Sequence, residues 1–311
     1  MSFIWRGEIP GVALSELLFR DLCCSIKENV HLAKYCTFGA GGTAKFLITP
    51  SNVNDVIKIM LARRKHKFPL FYLGGGSNVL FSDIEGIVMV SSGFCSIHYE
   101  RKENNRIIVE AGSGYPLKSI VSESLKRGYD GLEFAVGIPG TVGGAVIGNA
   151  GTQGADIGGL LLWVECVTPD GSVIKLEPKD IKSGYRYSSL SGNDYFITKC
   201  AFEVCRGDME QIRNKCLEYW RRRSKQPFTY KSAGCVFKNT DNNSAGKLLD
   251  ECGCKGMRVG DAVVSDLHAN FCINTGKASA LDIKELIYKC RDIVYEKKGI
   301  LLDFEVKMFG F

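Results

Sequence analysis

Two hydrophobic periods alternate along this chain. Val53, Val56, Ile57 and Met60 share one helical face, with Asn52 placed to cap the helix start and Pro69 lying beyond its end. Leu70-Phe71-Tyr72-Leu73 then reads as a buried strand running straight into Gly74-Gly75-Gly76-Ser77-Asn78. The order repeats downstream: strand Ile107-Ile108-Val109-Glu110, a turn at Gly112-Ser113-Gly114, and a helix from Pro116 that carries Leu117, Ile120, Val121 and Leu125 as far as Gly128. Strands centred on Val164–Cys166, Val173–Leu176 and Phe196–Val204, parted by turns such as Pro169-Asp170-Gly171, continue an α+β pattern. Beyond Arg206-Gly207-Asp208 the pattern predicts a helix to about Arg223, a second over Ser244–Cys252 and a strand about Asn270–Asn274. A strongly amphipathic helix follows, with Ile283, Leu286, Ile287, Cys290, Ile293 and Val294 on one face and Gly299 at its stop, and a strand from Ile300 to Met308 ends the chain. There is no internal repeat and no low-complexity tract.

Ten glycines fall between Gly131 and Gly159, densest from Gly137 to Gly151. Glycine packs nothing and costs conformational entropy, so a run of it points to close backbone approach or to repeated left-handed turns. The interleaved Ile, Val and Ala set it apart from a Gly/Ser linker.

Composition narrows the class. With 311 residues, 45% of them hydrophobic and 24% charged, the chain can bury a full core in two or three domains. Its longest apolar runs, such as Leu160-Leu161-Leu162-Trp163-Val164, fall far short of the ~20 residues a membrane helix needs. Glu8, Glu16 and Arg20 interrupt the first 21 residues, unlike a secretory signal, so a cytoplasmic protein is expected. Thirteen irregularly spaced cysteines suit reduced thiols rather than a disulfide framework. Neither Cys23-Cys24 nor Cys252-Gly253-Cys254 has zinc-knuckle spacing, so no metal is expected. The net charge of +6 has local sources in Arg63-Arg64-Lys65-His66-Lys67 and Arg221-Arg222-Arg223. Both runs end apparent helices, where cations complement the dipole, and they lack the interleaved aromatics of a nucleic-acid reader; a small anionic substrate would also suit the charge.

The dinucleotide fingerprint G-x-G-x-x-G fails at Gly74-Gly75-Gly76 and at Gly112-Ser113-Gly114, each lacking the third glycine, and no Walker loop is present. Two glycine-rich loops remain, each able to aim backbone N–H groups at a diphosphate. Tyr72-Leu73-Gly74-Gly75-Gly76-Ser77-Asn78-Val79-Leu80, with Gly137-Ile138-Pro139-Gly140-Thr141-Val142-Gly143-Gly144, resembles the FAD-binding fold of vanillyl-alcohol-oxidase-type (PCMH) flavoproteins. Further segments follow in order: Ser183-Gly184-Tyr185-Arg186-Tyr187-Ser188, Gly234-Cys235-Val236-Phe237-Lys238-Asn239, Gly253 to Ala262, His268-Ala269-Asn270-Phe271 and Glu305-Val306. Together they resemble the UDP-N-acetylenolpyruvoylglucosamine reductases (the MurB family) over roughly residues 32–310. The short interval between Arg186 and Cys235 is similar to that family's type II form, which lacks an extra tyrosine-bearing loop.

The resemblance implies an α+β architecture: a two-subdomain FAD-binding fold and a C-terminal α+β substrate domain. It divides into an N-terminal extension (1–30), two FAD subdomains (31–96 and 97–206) and a substrate domain (207–311), whose last strand, about 300–311, would carry Glu305 back toward the FAD domain. It implies reduction of the enolpyruvyl ether of a UDP-sugar by NADPH through FAD, giving the peptidoglycan precursor UDP-N-acetylmuramate. Partners would be the UDP-sugar and NADPH, with no nucleic acid, membrane or obligate protein partner.

By the same resemblance Arg186, Cys235 and Glu305 are catalytic. The developing enolate carries charge that a planar guanidinium can hold, so Arg186 is the stabilising cation. Cys235 stands where the family usually has its proton-donating serine, and a thiol can deliver a proton near neutral pH. Glu305 assists Arg186; alternation puts it on one strand face with Asp303 and Lys307, and it donates a hydrogen bond only if burial keeps it protonated. Thr240 replaces a common proline, which would loosen the Cys235 loop. Gly74, Gly75, Gly76, Ser77, Asn78, Gly137, Ile138, Pro139, Gly140, Thr141, Gly143, Gly144, Asn149 and Gly151 would hold FAD; Tyr185, Lys238, Asn239 and His268 would touch substrate, Lys238 as a phosphate-binding charge. Two rivals remain: another FAD oxidase on the same fold, which leaves the Cys235 and Glu305 segments idle, and a non-catalytic nucleotide- or nucleic-acid-binding protein.

Overall fold

The computed structural model describes residues 22, 24–152, 154–240 and 242–311, so the expected extension over 1–30 lies largely outside the described residues. The chain forms two compact units. In the first, which includes Lys45–Gly75 and Glu85–Arg221, a four-stranded sheet has the order Ser25–His31, Thr43–Thr49, Ile84–Val90, Leu70–Leu73. Leu70–Leu73 runs parallel to Ile84–Val90, and the helix Val53–His66 connects the inner strand Thr43–Thr49 to the edge strand Leu70–Leu73. Asn52 caps that helix by accepting from Asp55 N, and Lys67 ends it in the left-handed region, donating to Arg63 O. Its apolar face buries Val56, Ile59 and Met60 against Phe46, Ile48, Phe68 and Ile87.

The same unit holds an antiparallel sheet ordered Val173–Leu176, Leu161–Val167, Phe196–Arg206, Arg106–Gly112, Ile97–Arg101, with Tyr129–Asp130 added to Phe196–Arg206. Helix Leu117–Arg127 buries Leu117, Ile120 and Val121 into a core shared with Val109, Val164 and Phe202. Gly128 caps it at φ +70. The densest part of the glycine run is no open loop: Val142–Ile147 is a short helix with Thr141 as its N-cap.

The second unit gathers Val30–Ala44, Gly76–Ile84 and Arg222–Phe311. Residues 31–44 and 76–84 thus cluster with the C-terminal stretch, across the linear division drawn above. Their Phe38, Ala40 and Leu80 are buried with the apolar face of helix Ala280–Lys298, which supplies Ile283, Leu286, Ile287, Cys290 and Val294. Ser279 and Asp282 form a reciprocal capping box at the start of that helix, and Gly299 ends it at φ +67. A three-stranded antiparallel sheet, Arg258–Val259, Ala262–Val264 and Cys272–Asn274, completes this core.

Two expectations are corrected here. The last strand spans Lys307–Phe309 rather than Ile300–Met308, pairing in parallel with Val79–Phe81 inside the second unit. Glu305 therefore sits in a bend, so period-two alternation with Asp303 and Lys307 does not apply. The reason is local: Phe304 bridges Phe237, while Glu305 N and Val306 N both donate to Val236 O, which turns the chain before the strand begins.

Candidate active site

In the first unit, strands Ser183–Gly184 and Tyr187–Ser188 form a miniature hairpin whose two turn residues are Tyr185 and Arg186. Arg186 adopts φ +52, in the left-handed region that L side chains other than Asn and Asp rarely occupy. Such backbone strain, on the order of 1–3 kcal/mol, concentrates at functional sites. The guanidinium Nη1 donates to Gly151 O at 2.9 Å, and its carbon lies 5.3 Å from the centre of the exposed Tyr185 ring. Asn149, only 3% exposed, donates from Nδ2 to Gly184 O at 2.9 Å and to Asp156 Oδ2 at 3.0 Å, while its Oδ1 accepts from Gly158 N at 3.0 Å. These contacts tie both Asn149 and Gly151, expected at the cofactor, to the Arg186 hairpin.

In the second unit the Cys235 loop is held by Asn270. Val236 N donates to Asn270 O; Phe237 N donates to Asn270 Oδ1 at 2.9 Å and Asn270 Nδ2 donates to Phe237 O at 2.8 Å. Asn270 is 3% exposed, so this amide pairing is fully inside. Cys235 itself is half-buried and bridges Phe271. The double acceptance by Val236 O brings the half-buried Glu305 beside the Cys235 loop, and Asn78 Nδ2 reaches Glu305 O at 3.0 Å. Thr240, in place of the expected proline, is tied locally: its N donates to Asn243 O, and its Oγ1 accepts from Asn243 N at 3.1 Å.

Of the expected substrate residues, Tyr185 is 55% exposed. Asn239 is exposed, and its Oδ1 takes Ala245 N at 3.0 Å, satisfying the start of helix Ala245–Glu251. His268 Nδ1 accepts from Asn270 N at 3.2 Å, which assigns the other ring nitrogen as the N–H donor, and burial holds the imidazole below its ordinary pKa. Lys238 lies near Lys307, whose pKa is lowered by burial first and by the Lys238 charge second. Two cations set against each other are stabilised by an anion. Sequence reasoning missed Lys307, Asn270 as a clamp, and Asp156; Asn270 stood inside a quoted segment, whereas nothing local marked the other two.

The glycine loops separate by role. A Cβ on Gly74 would lie 2.5 Å from Thr141 Oγ1, one on Gly75 2.8 Å from Gly140 Cα, and one on Gly143 2.8 Å from Ser113 Cβ. These three are bare because one loop packs on another. Gly144 differs: it is exposed, with Thr141 Oγ1 at 3.5 Å as the one neighbour a Cβ would meet. Among the described residues, no backbone carbonyl accepts from the N–H of Gly75, Gly140 or Thr141. Gly137 and Gly140 take φ +74 and +110, aiming the Ile138-Pro139 segment between them. Bare, unspent N–H groups from two adjacent loops fit a diphosphate-bearing cofactor such as FAD. The remainder of the first loop, Gly76, Ser77 and Asn78, belongs to the second unit, where Gly76 at φ +64 accepts from Thr37 N.

Two protein families match this chain. Residues 44–177 match the FAD binding domain family, and residues 226–309 match the C-terminal domain of UDP-N-acetylenolpyruvoylglucosamine reductase. A UDP-N-acetylenolpyruvoylglucosamine reductase of Clostridium novyi is 38% identical, covering 92% of this chain and 92% of its own. One from Caldicellulosiruptor saccharolyticus is 37% identical over 91% of each chain. The crystal structure of the Thermus caldophilus reductase superposes with a TM-score of 0.79 at 34% identity, covering 92% of this chain and all of its own. An α+β FAD-binding fold with a C-terminal α+β domain is accordingly the fold of this protein. The chain belongs to the UDP-N-acetylenolpyruvoylglucosamine reductase family.

Proposed function

We infer that this protein is an FAD-dependent oxidoreductase that uses NADPH to reduce the enolpyruvyl ether of UDP-N-acetylglucosamine enolpyruvate to UDP-N-acetylmuramate, a step of peptidoglycan synthesis. The observation that carries the reading is the end-to-end likeness to these reductases, which includes the unit holding Cys235 and Glu305 side by side. Bound FAD supplies the hydride relay between NADPH and the enolpyruvyl carbon. The residues fitted to its diphosphate are Gly75, Gly140, Thr141 and the bare face at Gly144.

This chain's own side chains do the rest. Arg186 holds the substrate carboxylate as negative charge grows on it. The Cys235 thiol gives its proton to the neighbouring carbon. Glu305, beside the Cys235 loop, hydrogen-bonds the enolate. Lys238 meets phosphate, and Tyr185, Asn239 and His268 complete the substrate contacts. No helix among the described residues is long and apolar enough to cross a membrane. We place the reaction in the cytoplasm, where nucleotide sugar and NADPH meet, and assign it no nucleic acid, membrane or obligate protein partner.

The test is anaerobic. The yellow protein is bleached with NADPH and then mixed with the enolpyruvyl UDP-sugar; return of the flavin band near about 450 nm is expected. A band that stays bleached until oxygen is admitted would favour the oxidase reading. Colourless protein that binds no added flavin would favour the nucleotide-binding one.

A further inference from the structure

We propose that Asn149 is the positioning residue that fixes Arg186 for substrate, acting through the backbone of the Arg186 hairpin rather than through the flavin. The inference rests on Arg186 being the enolate-stabilising cation.

A two-residue turn offers little purchase on a side chain at its tip. Arg186 is held in a left-handed conformation that its own side chain disfavours, so something outside the hairpin must over-determine it. The strands on either side pair through two residues each, too few to do so alone. Asn149 supplies the missing constraint at Gly184 O, two residues before Arg186, and Gly151 O takes the guanidinium itself. The same short stretch of chain therefore grips the hairpin at its backbone and at its charged head.

The clamp is built, not incidental. Asn149 is itself in the left-handed region at φ +41, which asparagine tolerates. All its amide capacity in this network is directed: two donations from Nδ2 and one acceptance at Oδ1. Reversing the amide would set donor against donor at Gly158 N, so the orientation is fixed by its partners. Gly158 is bare at the point of approach, since a Cβ there would lie 2.8 Å from Asn149 Oδ1. Asp156 anchors the far side, its Oδ1 accepting from Gly159 N at 3.0 Å while Oδ2 takes the Asn149 amide. With both amide hydrogens spent inside the protein, the Asn149 side chain has none left to donate to a cofactor.

The experiment uses the flavin-loaded enzyme and four variants: Asn149→Gly, which keeps the backbone conformation and deletes the amide, Arg186→Ala, the double variant, and Asp156→Ala. Each is measured for flavin content, melting temperature, flavin reduction by NADPH, and flavin reoxidation by the enolpyruvyl UDP-sugar. Asn149→Gly is expected to keep its flavin and its NADPH rate and to slow reoxidation by about 100-fold, the cost of displacing a catalytic group by roughly an ångström. Arg186→Ala is expected to lose about 1,000-fold in the same step, and the double variant to be no slower than Arg186→Ala within about threefold, because the amide acts only through the arginine. Reoxidation at the wild-type rate in Asn149→Gly, beside a slow Arg186→Ala, overturns the inference and leaves the function intact. Loss of flavin from Asn149→Gly also overturns it, returning the residue to the cofactor. A wild-type rate in Arg186→Ala instead removes the catalytic role of Arg186 on which the inference rests. Should Asn149→Gly fail to fold, Asp156→Ala decides: about tenfold slower reoxidation with unchanged NADPH reduction supports the clamp, and wild-type behaviour in both steps overturns it.

Discussion

Cys235 places a thiol where relatives of this chain are expected to use a hydroxyl, and the exchange is chemically mild because both groups can hand over a proton. Cys235→Ser is therefore expected to retain reductase activity within about tenfold, whereas Cys235→Ala should lose about 10²- to 10⁴-fold in flavin reoxidation by substrate with NADPH bleaching intact. Stopped-flow absorbance separates the two steps; an alanine variant that reoxidises at the wild-type rate would show that Cys235 donates nothing. Asn270 makes a stability prediction of its own. Asn270→Ala leaves the buried Phe237 N–H and carbonyl without their amide partner, an expected cost of about 2–4 kcal/mol in urea unfolding. Legibility at this level is uneven. The segment around Cys235 was readable as part of the family likeness, but the φ of +52 at Arg186 was not, because arginine carries no local preference for that region.

Among the elements, the short helix Val142–Ile147 changes what the glycines mean. Gly143 is glycine because Ser113 lies against it, whereas a Cβ at Gly144 would meet only Thr141 Oγ1 at 3.5 Å, leaving that face open to a ligand. Gly143→Ala should then disturb the fold itself, lowering the melting temperature even of flavin-free protein. Gly144→Ala should raise the stability of the flavin-free protein by up to about 1 kcal/mol, alanine being the better helix former, while reducing flavin content. Melting curves of apo and flavin-loaded protein distinguish the two, and unchanged flavin binding in Gly144→Ala would show that its bare face meets no cofactor. The amphipathic helix Ala280–Lys298 was legible from its period, and its capping box from Ser279 and Asp282 is expected to contribute about 1 kcal/mol, lost in Ser279→Ala. The final strand was misjudged because Leu302, Phe304 and Val306 alternate well enough to read as extended chain; the turn at Val236 O comes from a partner some seventy residues away, about the distance no window of period-two reasoning spans.

Across the whole molecule, protonation of His268 should tell on stability. Its folded pKa is depressed by burial, so the unfolded state binds the proton more readily and stability is lost as pH falls through the histidine range. Urea midpoints are expected to drop between about pH 7.5 and about pH 5.5, and His268→Leu should show the shallower fall; equal slopes would remove His268 from the acid limb. Thiol accessibility offers a second check. Cys95 and Cys205 are exposed and should react with a thiol reagent in the native protein, Cys205 the more slowly because partial burial and nearby carboxylates raise its pKa. Cys36, Cys166, Cys200, Cys272 and Cys290 are buried and should react only on unfolding.

Short-range order was present in the chain as written: helix faces, caps, glycine loops and the segments that carry the family likeness all depend on spacings of a few residues. What required the folded chain was the company those residues keep. Asn149 and Gly151 are drawn to the Arg186 hairpin, and Asn270 to the Cys235 loop. Residues 31–44 and 76–84 join the C-terminal core. Each of these is a long-range contact chosen by burial and by the need to satisfy polar groups away from water, and no local pattern encodes which distant partner will do so.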